Sequence, residues 1–196
     1  MLSRELILPK RFQNIEDFNS ELKITLEKLH ITKQHPLEQS LMQGTQTPGA
    51  LLNKPLPIIR EFKEALRQTS EIVLASLPKN LPKPLTKKFN NGIDFSASWS
   101  VNLNKSGYHK SHVHSKGYFS SAYYVSVPSD LNHENREGWL YLGKPGINLP
   151  IELPAQKWIK PEPGTLVLFP SFMWHGTKPF TSEQRRLTVA FDILPK

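Results

Sequence analysis

The chain has 196 residues, 38% apolar and 21% charged, which suits one folded domain with a sizeable core and excludes a disordered protein. It has no cysteine, which excludes disulfides, thiolate metal sites and cysteine nucleophiles and leans toward a cytoplasmic setting. The net charge of +8 is spread evenly, with 14 basic and 10 acidic residues in 1–94 against 11 and 7 in 95–196, so no dense basic block argues for a nucleic-acid partner.

The first residues, Met1 to Lys10, show no signal-peptide core, and no apolar run is long enough to span a bilayer, so a membrane is not expected. Asn14-Ile15-Glu16-Asp17-Phe18 carries N-cap chemistry and opens a helix through Leu22, Ile24, Leu26 and Leu29, ended by Thr32 to Pro36. Leu41 to Gly49 reads as a polar loop. A second helix starts near Pro55 to Pro57 and runs to about Leu77, with Ile58, Ile59, Phe62, Ala65, Leu66, Ile72 and Val73 as its apolar stripe. Pro78, Pro82 and Pro84 close it.

From Ile93 the texture changes to short segments rich in Val, Tyr, Phe, Trp and Thr between Gly, Pro and Asn turns. Trp99, Val101 and Leu103 alternate with Ser98, Ser100 and Asn102, and further strands are expected over 119–127, 139–143, 165–169 and 187–193. Helices followed by many strands predict an α+β chain, with a jelly roll over 93–196 preceded by a helical support region over 1–92.

Four of the seven histidines stand in two stretches, Gly107-Tyr108-His109-Lys110-Ser111-His112-Val113-His114 and Pro170-Ser171-Phe172-Met173-Trp174-His175. In an extended segment, residues i and i+2 point the same way, so His112 and His114 can aim two imidazoles at one point. A jelly roll brings an early and a late strand together, and His175 then completes a three-imidazole metal site with open positions for small ligands. On the last strand Arg186, Thr188, Ala190 and Asp192 share one face and Leu187, Val189 and Phe191 the other. Arg186 and Thr188, beside the strand of His175, would form a carboxylate receptor, a fork with two charge-assisted bonds plus a hydroxyl.

The chain resembles the 2-oxoglutarate/Fe(II)-dependent oxygenases of bacteria and phages that carry a histidine-x-histidine signature. The matching stretches are Ser40 to Thr47, Ser98 to Val101, Gly107 to His114, Gly117 to Tyr124, Pro163 to Ser171 with Trp174 to Thr177, and Arg186 to Asp192. The resemblance implies a double-stranded β-helix (the jelly-roll, cupin-like fold) and Fe(II) on His112, His114 and His175. It also implies 2-oxoglutarate with its far carboxylate on Arg186 and Thr188, and molecular oxygen and an unidentified prime substrate as partners. Tyr124 and Asn102 are further candidate contacts to the cosubstrate. Most of the wider superfamily places a carboxylate where His114 stands. A second register would use His109 as ligand and leave His112 or His114 outside, and Asp94 and Asp192 are the nearest carboxylates.

Other readings remain at this stage: a cupin-like metal enzyme without 2-oxoglutarate, or a non-catalytic jelly-roll module. Arg186 with Thr188 weighs against the first, and the lack of an aromatic-basic stripe weighs against nucleic acid for the second. His30, His35 and His133 read as ordinary surface histidines, and Trp99, Trp158 and Trp174 as core. Gln46 and Thr47 could line the site as part of a lid.

Overall fold

The computed structural model describes residues 2–31, 40–78, 89 and 91–196. Thr32 to Pro36, including His35, and the prolines 82 and 84 lie outside the described residues. The elements are β1 (Leu2–Glu5), α1 (Ile15–Leu29), β2 (Leu41–Gln46), a 3-10 turn (Leu51–Asn53), α2 (Pro57–Ala75), β3 (Ile93–His109), β4 (Phe119–Ser126), β5 (Leu140–Leu142), β6 (Lys157–Ile159), β7 (Thr165–Pro170), β8 (His175–Thr177) and β9 (Arg186–Pro195). Six strands form one sheet in the order β1-β7-β4-β9-β3-β2, and β6-β5-β8 form a second. Every pairing is antiparallel, as a jelly roll requires.

Both helices begin where the sequence places them. The side chain of Asn14 accepts the backbone N–H of Asp17 at 2.8 Å, and Glu16 and Asp17 add charge to the positive end of α1. Pro57 occupies the first turn of α2, where its missing N–H costs nothing. Phe18, Leu22 and Leu26 of α1 and Ile58, Ile59, Phe62, Leu66 and Val73 of α2 pack with Leu187, Val189, Phe191 and Ile193 of β9. The helices thus cover one face of the large sheet. On its other face Tyr124, Val167 and Phe169 meet Leu140, Leu142 and Ile159 of the small sheet, and the candidate site opens in this second layer.

Several expectations change. Leu41 to Gln46 is not a loop but an edge strand, and Thr47 just beyond it is buried and bonded to Ser100 in both directions, so neither Gln46 nor Thr47 belongs to a lid. Polar Gln43 and Thr45 and flexible Gly44 hide the strand because it lacks clean alternation. Residues 1–92 therefore contribute two edge strands as well as two helices. Ile24 and Ile72 are exposed, and Thr69 and Ser70 take the inward positions on α2. Trp99, Trp158 and Trp174 are half-buried instead of core.

A bulge delivers the histidine stretch. Between Leu103 and Tyr108 the pairing of β3 with β2 slips, with Gln43 and Ser106 both at positive φ. Gly107 lies so close that an added Cβ would stand 2.6 Å from the Asn104 carbonyl oxygen and 2.8 Å from that of Gln43. The bulge bends the end of β3, and the chain beyond it crosses toward the small sheet.

Candidate metal centre

His112 and His114 follow β3 outside any regular strand. His112 makes a single antiparallel bridge with His175, its N–H donating to the His175 carbonyl at 2.9 Å and the return bond measuring 3.0 Å. The N–H of His114 donates to the Ser171 carbonyl at 2.9 Å. These bonds clamp the His112–His114 segment against the turn preceding β8. The rings of His112, His114 and His175 have centroids 4.2 to 5.2 Å apart, and one ligand nitrogen from each lies within 4.8 Å of the others.

The second nitrogen of each ring has a fixed partner. Nδ1 of His112 bonds to the Lys110 carbonyl at 2.7 Å, Nδ1 of His175 to the Met173 carbonyl at 2.9 Å, and Nδ1 of His114 to Oδ1 of Asp192 at 2.7 Å. A carbonyl or carboxylate oxygen only accepts, so Nδ1 carries the proton in all three rings and Nε2 keeps its lone pair. Burial, reinforced by the His112 charge, lowers the His175 pKa to about 2, and burial lowers that of His112. Both are therefore neutral at pH 7, the form that binds metal.

Asp192 is buried and also accepts from the Ser120 hydroxyl at 2.7 Å. It stands behind His114 instead of beside it in the cluster. Asp94 is exposed at the start of β3, 3.8 Å from the Lys196 ammonium, away from the site. His109 lines the same cavity, pushed down to about 3 by burial with the His112 charge second, but it is not in the mutually close set.

Arg186 and Thr188 line the cavity with the histidines, yet not from the strand beside His175. They stand on β9 of the large sheet, whereas His175 is on β8 of the small one, so the two groups face each other between the sheets. Side-chain alternation fixes the face of a strand but not its sheet, which is why the sequence misplaces them. Arg186 is 2% exposed and makes no ion pair among the described residues; its Nε has no hydrogen-bond partner there. Tyr124 lies beneath it, its ring centroid 5.2 Å from the guanidinium carbon and its buried hydroxyl against the Arg186 side chain, but it does not line the cavity. Burial raises the Tyr124 pKa, the neighbouring Arg186 charge acting in the opposite direction. Asn102 is buried on β3 opposite Leu187 and does not line the cavity. Trp99 does, with its ring 5.5 Å from that of His114, a contact the alternation of β3 could have flagged once the site was located.

Three imidazoles whose Nε2 atoms keep a lone pair, a buried carboxylate behind one of them and a buried arginine without an ion pair opposite define a jelly-roll metal centre built for an anionic co-ligand. Residues 97–192 match the model of the family described as "Putative 2OG-Fe(II) oxygenase", and this core of the chain belongs to that family. The protein is accordingly a 2-oxoglutarate- and Fe(II)-dependent oxygenase. Among solved structures, the chain resembles a prolyl-4-hydroxylase of Pseudomonas putida at 13% identity and TM-score 0.63, covering 100% of this chain and 92% of that one. It also resembles HygX of Streptomyces hygroscopicus, crystallised with nickel, 2-oxoglutarate and hygromycin B (13%, TM-score 0.62, 100% and 82%). A third is a Trichoplax adhaerens prolyl hydroxylase in complex with a hypoxia inducible factor peptide fragment (14%, TM-score 0.60, 99% and 83%). These likenesses concern the fold. No curated protein matches the sequence. No helix among the described residues is long and apolar enough to cross a membrane.

Proposed function

We propose that the protein hydroxylates an organic substrate, with Fe(II) held by Nε2 of His112, His114 and His175 and 2-oxoglutarate anchored on Arg186, in the cytoplasm. The observation that carries this reading is the buried, unpaired Arg186 facing the histidines across one cavity. A buried guanidinium without a counter-ion costs several kcal/mol, a cost that a dicarboxylate spanning the cavity would offset. When bound, Fe(II) and 2-oxoglutarate couple loss of carbon dioxide from the cosubstrate to insertion of one oxygen atom of O2 into a substrate C–H bond.

The chain's own residues divide the remaining work. Arg186 pairs with the far carboxylate of the cosubstrate, and Thr188 beside it offers a hydroxyl on the same strand face. The buried Tyr124 beside Arg186 does not itself line the cavity, and its hydroxyl would support the guanidinium that takes this carboxylate. Asp192 holds His114 in one tautomer and supplies a nearby negative charge, making up for the carboxylate missing from position 114. Trp99, Val101, Leu140, Phe169 and Ala190 line the cavity with apolar surface, which excludes water and strengthens the charge pairing.

Anaerobic addition of Fe(II) and 2-oxoglutarate should produce a weak visible band at about 500 nm, the signature of the chelate. The expected companion is a thermal shift on adding 2-oxoglutarate. Absence of both refutes the assignment.

A further inference from the structure

The histidine cluster is framed by an exposed rim that the proposed chemistry does not use. Leu142 pairs with His175, so the loop joining β5 to β6 leaves the small sheet at the level of the third histidine. Gly146 of that loop packs against the Ser111 carbonyl and the Trp174 ring, and the Ser111 hydroxyl donates to the Lys144 carbonyl. On the other flank the His114–Ser171 backbone bond sets Val113 beside the turn that carries Phe172.

Two properties of this rim stand out. Of the nine large apolar side chains exposed among the described residues, six belong to it or to the loop it starts: Val113, Ile147, Leu149, Ile151, Leu153 and Phe172. Ile147 is 58% and Phe172 54% exposed, so neither is a core residue showing an edge. The framing segments 107–118, 143–149 and 170–177 also contain three lysines, Lys110, Lys116 and Lys144, and no acidic residue. All three lysines are exposed and free of ion pairs among the described residues. The one acid of the β5–β6 loop, Glu152, comes in its second half.

We propose that this rim docks the prime substrate and that the substrate is a polypeptide segment combining acidic and apolar side chains. The inference rests on the oxygenase reading above. Exposed apolar side chains gathered on the segments around one cavity and interspersed with charge mark a protein partner, and three lysines free of ion pairs among the described residues select an acidic one. Aliphatic Val113, Ile147 and Leu149 offer side-chain packing instead of the stacked aromatic platform that single-stranded nucleic acid uses. A small metabolite would leave most of the rim uncovered.

The test uses the full chain loaded with Ni(II) and 2-oxoglutarate and a bead library of random peptides about twelve residues long. Retained peptides should be net negative and carry apolar residues. Lys110→Glu with Lys144→Glu should weaken the best peptide by about tenfold or more, and Ile147→Ser with Phe172→Ser by a similar factor, while 2-oxoglutarate binding stays unchanged in both. Under anaerobic Fe(II) the same peptide should shift the visible band of the metal–cosubstrate complex. Retention without charge bias, variants that bind like the wild type, or an unshifted band would overturn the proposal. So would tighter binding of a twelve-nucleotide single-stranded DNA. Loss of 2-oxoglutarate binding with the acidic selection intact would sink the oxygenase assignment and leave the docking surface standing.

Discussion

Replacing Arg186 by methionine should move stability and cosubstrate binding in opposite directions. The wild-type guanidinium is 2% exposed, makes no ion pair among the described residues and leaves Nε without a partner. Exchange of buried charge for a well-packed apolar side chain of similar length is neutral to stabilising by about 1–4 kcal/mol. At about 2–4 °C per kcal/mol for a domain of this size, the ligand-free variant should melt level with the wild type or up to about 16 °C higher. The same change removes two charge-assisted hydrogen bonds to 2-oxoglutarate, each contributing about 1.5–3 kcal/mol, so affinity should fall at least a hundredfold. At a ligand concentration near 100 Kd, the wild type gains about 2.7 kcal/mol and the variant less than about 0.5, so the ligand moves the two melting curves relative to each other by at least about 2 kcal/mol in favour of the wild type. Differential scanning fluorimetry with and without 2-oxoglutarate, backed by calorimetric titration, reads both quantities. A ligand-free Arg186→Met that melts well below the wild type, with an undiminished response to 2-oxoglutarate, would refute the view of Arg186 as a charge awaiting its counter-ion.

Other consequences are independent of that variant. Asp192→Asn keeps the shape but removes the charge behind His114, and metal affinity by competitive chelation should drop about ten- to a hundredfold with little loss of secondary structure. His30 bridges Ser100 at 2.5 Å and Thr45 at 2.8 Å, and burial holds its pKa near 4 instead of 6.5. Folded, it stays neutral where the unfolded chain takes up a proton, so its contribution is complete above pH 6.5 and is lost as pH falls from 6.5 toward 4. Urea titrations should show His30→Gln flattening that slope by less than about 1.4 kcal/mol per pH unit, the ring being partly exposed; equal slopes would dismiss the role. Gly107→Ala drives a Cβ into two backbone carbonyl oxygens and should cost about 1–3 kcal/mol, seen as a lower melting temperature together with weaker metal binding.

The sequence was most legible where periodicity runs long. The 15 and 19 residues of α1 and α2 show their stripes and start signals, and the alternation over 98–103 and 186–192 identifies β3 and β9 and separates Arg186 and Thr188 from Leu187 and Val189. The three-residue strands β6 and β8 show no pattern of their own, whereas the equally short β5 falls within the apolar-aromatic run 139–143, and edge strands β1 and β2 have too few inward positions to stand out. His30 read as a surface residue because nothing local betrays two hydroxyl partners 15 and 70 residues away. The same limit hid the facing of β9 against β8, since residues from different sheets share a cavity only once both sheets are folded and packed.

Position 114 is the departure from the wider superfamily that the rest of the site has to balance. An imidazole in place of a carboxylate leaves the proposed centre one negative charge short, and the sequence alone offered Asp94 or Asp192 as distant compensation. Asp192 lies on the cavity-facing side of β9 and ends the register that starts with Arg186, so one strand presents a cation toward one end of the cavity and an anion toward the other. Its 2.7 Å bond to Nδ1 of His114 leaves the charge near the metal position without occupying a coordination site. That arrangement predicts the behaviour of two substitutions. With aspartate at 114, a second carboxylate would face Asp192, and like charges at this range raise one pKa strongly. His114→Asp alone should therefore bind metal less well than His114→Asp combined with Asp192→Asn. If the single variant binds metal as well as the double, Asp192 is a structural hydrogen-bond acceptor and not the charge that balances the site.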